Sequence, residues 1–161
     1  MRIRRATGED LTAVAAVYAA EVDNGQATFD TAPPPLETWR RKLDSPHRGD
    51  HFLVAEDGGR VVGFAYSSAY RERGAYDHTR EVTIYLDHDA TGRGLGRQLY
   101  DELLSRLKDS GMRTALACIS LPNEASEALH RACGFERIGL MREVGRKFDR
   151  WIDVAWWQRL L

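Results

Sequence analysis

Apolar and polar positions repeat along the chain with two periods, and these predict alternating strands and helices. The clearest helical stripe runs from Leu95 to Leu107, where leucines recur every four residues and mark one buried face. The clearest strand is Glu81–Leu86, which is rich in β-branched and aromatic residues. A glycine-rich segment separates this strand from the helix, and Gly111 marks the end of the helix.

The rest of the chain predicts the order βα(α)ββ, βα, βα, ββ. Further helices are expected after the capping residues at 7–10, over Leu36–Leu43 and over Pro122–Cys133. Further strands are expected at Arg2–Arg5, His51–Glu56, Arg60–Tyr70, Thr114–Ile119, Glu136–Leu140 and Trp151–Trp157. Because strands lead directly into helices, the predicted fold class is α/β with a mixed sheet in one domain, 1–161, and ligands are expected where strands give way to helices.

The composition of the chain argues against several classes of function. The chain is 43% hydrophobic and 29% charged, and its formal net charge is -1. Such a charge provides no basic surface for nucleic acid or an acidic membrane, so we expect neither as a partner. The longest apolar run is too short to cross a bilayer, and the basic start lacks the apolar core of a secretory signal. Cys118 and Cys133 have no disulfide or CxxC spacing, so we expect buried thiols in a cytoplasmic protein.

Three glycines at alternate positions follow the strand: Gly92, Gly94 and Gly96. Glycine loses the most backbone freedom on folding, so this spacing indicates that a ligand approaches the backbone closely. Free N–H groups at a helix start suit phosphate, and Arg93 and Arg97 add positive charge. The alternative is a tight strand-to-helix turn that binds nothing. The spacing fits neither the GxGxxG pattern nor the P-loop.

The segment Thr91–Gly96 resembles the acetyl-CoA pyrophosphate loop of GNAT N-acetyltransferases, Q/R-x-x-G-x-G/A, with Thr91 at the usual Gln or Arg. The segment Leu129–Glu136 resembles the family's LYxxxGF motif, with His130 at the usual Tyr. The resemblance implies a GNAT fold with acetyl-CoA as co-substrate. The residues it implies for cofactor binding are Ile84, Tyr85, Leu86, Thr91, Gly92, Arg93, Gly94, Leu95, Gly96, Arg97, Asn123 and Ser126.

Across nearly the whole chain, the sequence is similar to the phosphinothricin N-acetyltransferases. The matching segments include Ala27–Phe29, Tyr70–Arg73, Glu81, Gly145–Phe148 and Trp151–Val154. Members of that group acetylate the α-amino group of phosphinothricin, or of methionine sulfoximine and sulfone. The resemblance therefore implies a small-molecule amine acceptor and, because relatives are often dimers, a homodimer.

Two residues are candidates for catalysis. Glu81 opens the strand before the glycine loop, where a carboxylate could take a proton from the acceptor amine. The alternative is a solvated carboxylate at a strand end, but the resemblance places Glu81 at the family's proposed base. His130 could assist the departing CoA thiolate, or it could simply cover a helix. The family arrangement further implies an oxyanion-stabilising N–H near Ile84–Leu86, freed where the strand splays from its neighbour.

Recognition of an acidic acceptor requires cations. Arg71 and Arg73 occupy alternate positions, and their guanidinium groups suit carboxylate or phosphinate oxygens, although surface solvation is the alternative. Further candidates for shaping the pocket, each equally compatible with core or rim, are Thr28, Phe29, Tyr76 and Lys147. The histidines lie in no metal-ligand spacing, so we expect no metal.

The predicted function is direct transfer of an acetyl group from acetyl-CoA to a small amino-acid-like amine. One alternative is a protein N-terminal or other small-amine acetyltransferase; the protein-directed form would need an open, often acidic groove. Another is a CoA-binding module without turnover. A covalent acetyl-cysteine intermediate is a less simple route, because a thioester is already activated.

Overall fold

A computed structural model describes all 161 residues and shows a seven-stranded mixed sheet with helices on both faces. The strands are Arg2–Arg5 (β1), Phe52–Asp57 (β2), Arg60–Ala69 (β3), Thr79–Leu86 (β4), Thr114–Ser120 (β5), Glu136–Lys147 (β6) and Arg150–Leu160 (β7). The helices are Leu11–Asn24 (α1), Leu36–Leu43 (α2), Leu95–Asp109 (α3) and Glu124–Ala132 (α4). The strand order is β1-β2-β3-β4-β5-β7-β6. No helix combines the length and hydrophobicity that a membrane crossing requires.

The predicted α/β class and element order are confirmed, and the element boundaries differ by at most three residues except at β6. β6 continues to Lys147, beyond its predicted end at Leu140. Its pairing with β7 slips twice, and these irregularities break the alternation by which a strand is recognised. α4 begins after Asn123 rather than at Pro122, because the Asn123 side chain accepts the N–H of Ser126 at 3.1 Å and caps the helix.

β4 and β5 are the only parallel neighbours in the sheet, and they separate partway along their length. Their pairing covers Thr79–Glu81 against Thr114–Leu116 and stops there. Both strands continue past that point, so each presents a backbone edge to a gap instead of to a neighbour. The splay expected on β4 is therefore present, and it opens the sheet between two layers of helices.

Two clusters of buried apolar side chains, one on each face of the sheet, hold the two layers of helices. α3 packs on one face with Val82 and Ala117, while α1 and α2 cover the other face around Trp39 and Phe64. Side chains alternate along a strand, so β4 serves both layers. Glu81, Thr83 and Tyr85 face the α1–α2 layer, and Val82, Ile84 and Leu86 face α3.

Candidate active site

A cavity of about 230 Å³ occupies the gap between β4 and β5 and reaches both layers of helices. Glu81 and Cys118 line it on the α1–α2 side, and Tyr100 and His130 line it on the α3–α4 side. The structure thus brings together residues distant in the sequence. The predicted site residues in its wall are Thr28, Phe29, Glu81, Ile84, Tyr85, Asn123, Ser126 and His130.

Glu81 is half-buried at the last β4–β5 pair, where its side chain faces the cavity. Burial raises the pKa of this carboxyl, while the Cys118 thiol and, at longer range, the Lys42 ammonium oppose the rise. A carboxylate with a raised pKa is a stronger base than an exposed one. The sequence singled out Glu81 but not Lys42, which α2 brings close only in the folded chain.

Cys118 is exposed to the cavity, so the expectation that it is buried is wrong. The expectation is confirmed for Cys133, which is 2% exposed. The difference arises because β4 has diverged before Cys118 and no packed neighbour covers its side chain. Loss of bulk water inside the cavity and the Glu81 carboxylate raise the pKa of Cys118 to about 12. The thiol therefore stays protonated at neutral pH, which disfavours an acetyl-cysteine intermediate.

His130 is buried, and both of its ring nitrogens have partners. Nδ1 lies 2.7 Å from the Ser126 carbonyl oxygen, and Nε2 lies 3.0 Å from the Tyr100 hydroxyl. Because a carbonyl can only accept, Nδ1 carries the proton and Nε2 accepts from Tyr100. Burial lowers the pKa of His130, although the Ser126 carbonyl opposes the shift. A neutral imidazole thus accepts the Tyr100 hydroxyl, a residue of α3 that the sequence analysis did not single out.

The glycine loop leaves a helix start open. Gly92 and Gly94 adopt φ angles of +73° and +77°, and a Cβ at either position would meet nothing within 4 Å. Gly94 caps α3 without a side-chain hydrogen bond, so the first-turn N–H groups have no partner within the helix. Such a terminus suits an anion. Gly96 differs, because it packs against Leu129, 3.1 Å from the place of a Cβ.

The polar side chains of the loop have partners within the protein. Arg93 pairs with Asp57 at 2.9 Å and Arg97 with Asp101 at 3.2 Å, both exposed to solvent. Exposed pairs of this kind contribute about 1 kcal/mol or less, so either arginine can exchange partners. Thr91 donates its hydroxyl to the His88 carbonyl at 2.8 Å. Leu95 is buried beneath the loop, and Leu86 and Thr91 line a neighbouring groove beside α1.

Residues 25–29, here called the 25–29 loop, cover the α1–α2 side of the cavity. Four consecutive carbonyls of this loop accept hydrogen bonds from side chains on three different strands. The pairs are Gly25 with Lys147 at 2.7 Å, Gln26 with Ser120 at 2.6 Å, Ala27 with Tyr85 at 3.3 Å and Thr28 with Lys147 at 3.1 Å. The sheet thereby fixes the loop that carries Thr28 and Phe29.

Two of the predicted acceptor-binding residues have roles within the protein framework. Lys147 does not line the cavity, and its ammonium donates to backbone carbonyls, including that of Glu21 at 3.4 Å. With three carbonyl partners it has no further proton to offer an acceptor. Thr28 is buried, and its hydroxyl lies 2.5 Å from that of Tyr18. Phe29 is partly exposed in the cavity wall and packs against Gly145, where any larger residue would collide with its ring.

Arg71, Arg73 and Tyr76 lie outside the cavity, in the exposed segment between β3 and β4. The Arg71 guanidinium stacks over the ring of Tyr70, 5.2 Å from its centroid. Within this chain, these residues make no contact with the cavity that the sequence interpretation assigned to them. Their spacing predicted a shared direction along an extended segment, but the backbone bends at 70–73, where the Arg73 N–H donates to the Arg71 carbonyl at 2.9 Å.

In this mixed sheet the parallel strands β4 and β5 diverge, and the helix that follows β4 begins with unpaired N–H groups. These two features define the fold of a GNAT-type acyltransferase. The family model of the acetyltransferase (GNAT) family matches residues 14–135. The chain belongs to this family and is an acetyl-CoA-dependent N-acetyltransferase.

Relatives of known name match over nearly the full length. The chain is 40% identical to phosphinothricin N-acetyltransferase of Alcaligenes faecalis, covering 99% of this chain and 82% of the relative. It is 37% identical to L-methionine sulfoximine/L-methionine sulfone acetyltransferase of Pseudomonas aeruginosa, covering 97% and 92%.

Two crystal structures share the fold closely. A phosphinothricin acetyltransferase from Sinorhizobium meliloti, in complex with AcCoA, has a TM-score of 0.94 and 41% identity over 99% of this chain and 88% of that one. A ribosomal-protein-alanine N-acetyltransferase from Brucella melitensis has a TM-score of 0.94 and 37% identity over 100% of both chains.

Proposed function

We propose that this enzyme transfers the acetyl group of acetyl-CoA to the α-amine of a small amino-acid-like acceptor, such as phosphinothricin or methionine sulfoximine or sulfone. The main observation in support is the cavity between β4 and β5. The Glu81 carboxylate lines one side of it, and the Tyr100 hydroxyl, hydrogen-bonded to His130, lines the other. Two ligands that enter from opposite layers can meet there. The acceptor class is that of the two named relatives.

The N-terminal ends of α3 and α4 form a suitable binding site for acetyl-CoA. The N–H groups around Gly92–Arg97 suit the diphosphate, because no side chain blocks Gly92 or Gly94. Asn123 uses its oxygen to cap α4, which leaves its amide N–H groups for the pantetheine arm, and Ser126 lies beside it in the cavity wall. The co-substrate supplies an activated thioester, so the chemistry requires no metal.

In the proposed reaction, groups on one side of the cavity activate the acceptor amine, and groups on the other side stabilise the departing thiolate. Glu81 takes a proton from the acceptor ammonium, directly or through water. An unpaired N–H of β4 at Ile84–Leu86 stabilises the negative charge that develops on the thioester oxygen. In the free enzyme the single Tyr100 O–H is donated to His130 Nε2; during transfer it turns to the departing thiolate, which replaces the imidazole as its acceptor. Tyr100 acts as a donor rather than an acid, because burial raises its pKa.

A free-thiol release assay over a panel of amines tests this function. The panel contains phosphinothricin, methionine sulfoximine, methionine sulfone, a polyamine and a peptide that begins with alanine. We expect acetyl-CoA-dependent thiol release with the first three compounds and little with the polyamine. Thiol release with none of the panel would refute the proposed acceptor class.

The second candidate is acetylation of a protein N-terminus, which the likeness to the Brucella melitensis enzyme favours. The cavity favours small acceptors, because the 25–29 loop is held over it by side chains from three strands. An enzyme acting on protein would accept the alanine peptide and reject the free amino acids, and the same panel distinguishes the two.

We further propose that the enzyme is a cytoplasmic homodimer. The β6–β7 hairpin presents exposed apolar side chains that include Ile138, Val144, Phe148 and Trp151, and such surfaces are typical of subunit interfaces. Sedimentation analysis should give the dimer mass for the native chain and the monomer mass for Ile138→Lys/Val144→Lys. The control variant Leu36→Lys changes an exposed apolar residue on α2 and should remain dimeric.

A further inference from the structure

We propose that Gln26 is a positioning residue that couples the two substrate sites, because it ties the 25–29 loop on the acceptor side to the segment that starts α4 on the acetyl-CoA side. The inference rests on the proposed function in that Asn123 is taken to hold the pantetheine arm. Gln26 carries no signal in the sequence, since its two partners lie 94 and 96 residues further along the chain.

The 25–29 loop spans the gap between β4 and β5. The pairing of these strands ends four residues before Tyr85 on β4 and four residues before Ser120 on β5. The Tyr85 hydroxyl donates to the Ala27 carbonyl at 3.3 Å, and the Ser120 hydroxyl donates to the Gln26 carbonyl at 2.6 Å. Neighbouring carbonyls of the loop therefore bind opposite sides of the gap, at a level where the two strands no longer bind each other.

Gln26 makes the two hydrogen bonds that join this loop to β5 and to the start of α4. Its backbone carbonyl accepts from Ser120, which is buried, and its side-chain amide donates to the Pro122 carbonyl at 3.0 Å. Pro122 directly precedes Asn123, which caps α4 and lines the cavity. A ligand held by Asn123 therefore lies one residue away from the contact that holds the loop.

The other anchors of the loop do not reach the start of α4. The Ala27 N–H donates to the Glu21 carboxylate at 2.7 Å, which fixes the loop to α1. Lys147 donates to the carbonyls of Gly25 and Thr28, which fixes the loop to the end of β6. The link between the loop and the start of α4 is thus left to Gln26.

This link makes the two substrates depend on each other. A hydrogen bond near solvent forms only when both of its partners are ordered, and ordering costs conformational entropy. A ligand that immobilises Asn123 also immobilises the adjacent Pro122, so less entropy is lost when the Gln26 amide binds its carbonyl. The linkage is reciprocal, since a loop closed over the acceptor favours acetyl-CoA by the same factor. The two ligands should therefore bind more tightly together than alone.

The first measurement is hydrogen exchange, which needs no acceptor. Deuterium uptake of the peptide that contains residues 25–29 is followed by mass spectrometry with and without saturating CoA. We expect CoA to slow this uptake about fivefold in the native chain, the typical effect of one hydrogen bond. The slowing should be lost in Gln26→Glu and Gln26→Met, which keep the length of the side chain and remove its donor.

The matched control is Asn24→Ala. It removes an exposed amide beside the same loop, but that amide bonds only within α1, to the Ala20 carbonyl at 2.9 Å. Uptake in this variant should respond to CoA as it does in the native chain. Equal slowing in the native chain and in both Gln26 variants, or no slowing in the native chain, would overturn the inference.

The second measurement is calorimetry of methionine sulfone binding with and without CoA. CoA should tighten this binding about fivefold in the native chain and in Asn24→Ala, and the factor should fall towards one in both Gln26 variants. A native factor in Gln26→Glu and Gln26→Met would refute the coupling role. If methionine sulfone binds to none of these proteins, the proposed acceptor class fails, and hydrogen exchange still decides the role of Gln26.

Discussion

The Lys147 ammonium lies 2.7 Å from the carbonyl oxygen of Gly25, which joins the end of β6 to the loop over the cavity. Lys147 is 6% exposed and has no carboxylate partner, so carbonyl dipoles and the face of the Phe148 ring, 5.0 Å away, compensate its charge. Burying an unpaired ammonium costs several kcal/mol, which three good hydrogen bonds offset only when the loop stays in place. The position of the 25–29 loop and that of the Lys147 side chain therefore depend on each other.

Replacing Lys147 with methionine should loosen the 25–29 loop while keeping the apolar stem in place. We expect the KM for the acceptor to rise about tenfold, the effect of losing one charge-assisted hydrogen bond, and the KM for acetyl-CoA to stay unchanged. Steady-state kinetics with each substrate varied in turn measures the difference. Lys108→Met, on the exposed face of α3, serves as the control. An equal rise in the KM for the acceptor and the KM for acetyl-CoA would indicate that the whole fold has loosened instead.

The glycine loop allows a matched pair of substitutions on one helix. Gly94 precedes α3 and Gly111 follows it, with φ angles of +77° and +79° and open space around each. Valine at either position should cost about 1–2 kcal/mol of stability, because both residues adopt left-handed backbone. Only Gly94→Val blocks the phosphate site, so calorimetry should show CoA binding weakened about tenfold or more in that variant alone. Equal weakening in Gly111→Val would exclude a local phosphate cradle.

Glu81→Gln keeps the shape of the side chain and removes its basicity. We expect kcat to fall about 10²–10⁴-fold while the Kd for acetyl-CoA stays native. The native chain should show an acid limb in kcat/KM above the ordinary glutamate range, because burial raises the pKa of Glu81. Stopped-time thiol assays and calorimetry measure the two quantities, with Glu72→Gln as the control. A native rate in Glu81→Gln would remove it from the mechanism.

His130 should remain neutral across the working pH range. Burial lowers its pKa below the ordinary value of 6.5, and protonation at Nε2 would break the bond from Tyr100. Nitrogen NMR of labelled histidine should show one tautomer, protonated at Nδ1, at pH 7 and above. Tyr100→Phe should lower kcat, cost about 1–3 kcal/mol of stability and make the His130 signal pH-dependent. A charged His130 at pH 7 in the native chain would contradict this arrangement.

The sequence predicted the fold more fully than the site, for a physical reason. Periodicity along one segment reveals a helix such as α3, and Glu81 and His130 stood out because they belong to recognisable segments. Cys118, Lys42 and Tyr100 have no such local signal, since their positions in or near the cavity depend on the divergence of β4 and β5 and on the packing of α2 and α3.

The residues predicted to bind the acceptor also show what sequence reasoning could not reveal. Arg71, Arg73 and Lys147 carry the charge that an acidic ligand requires, which is all that a sequence can display. In the folded chain, Lys147 holds a loop and the two arginines lie outside the cavity. Chemistry suited to a ligand therefore identifies a site only once the backbone has been placed.

A buried carboxylate near the start of the chain makes stability depend on pH. Asp10 is 6% exposed and accepts hydrogen bonds from Arg4 at 2.7 and 2.8 Å and from the Thr7 N–H at 2.8 Å. The Arg4 guanidinium is the main reason that the pKa of Asp10 lies below its ordinary value of 3.8. The carboxylate therefore stabilises the fold fully above that value, and the contribution is lost as the pH falls through the lower, folded-state pKa.

Asp10→Asn removes this charge but keeps the size of the side chain. Urea unfolding at pH 7 should show a loss of about 1–3 kcal/mol relative to the native chain, because Arg4 and the Thr7 N–H lose a charged acceptor. The difference should shrink when both proteins are unfolded below pH 3.8, where protonation removes the same charge from the native chain. Asp109→Asn, at the exposed end of α3, should change little at either pH. A loss in Asp10→Asn that stays constant with pH would show that Asp10 acts through its shape rather than its charge.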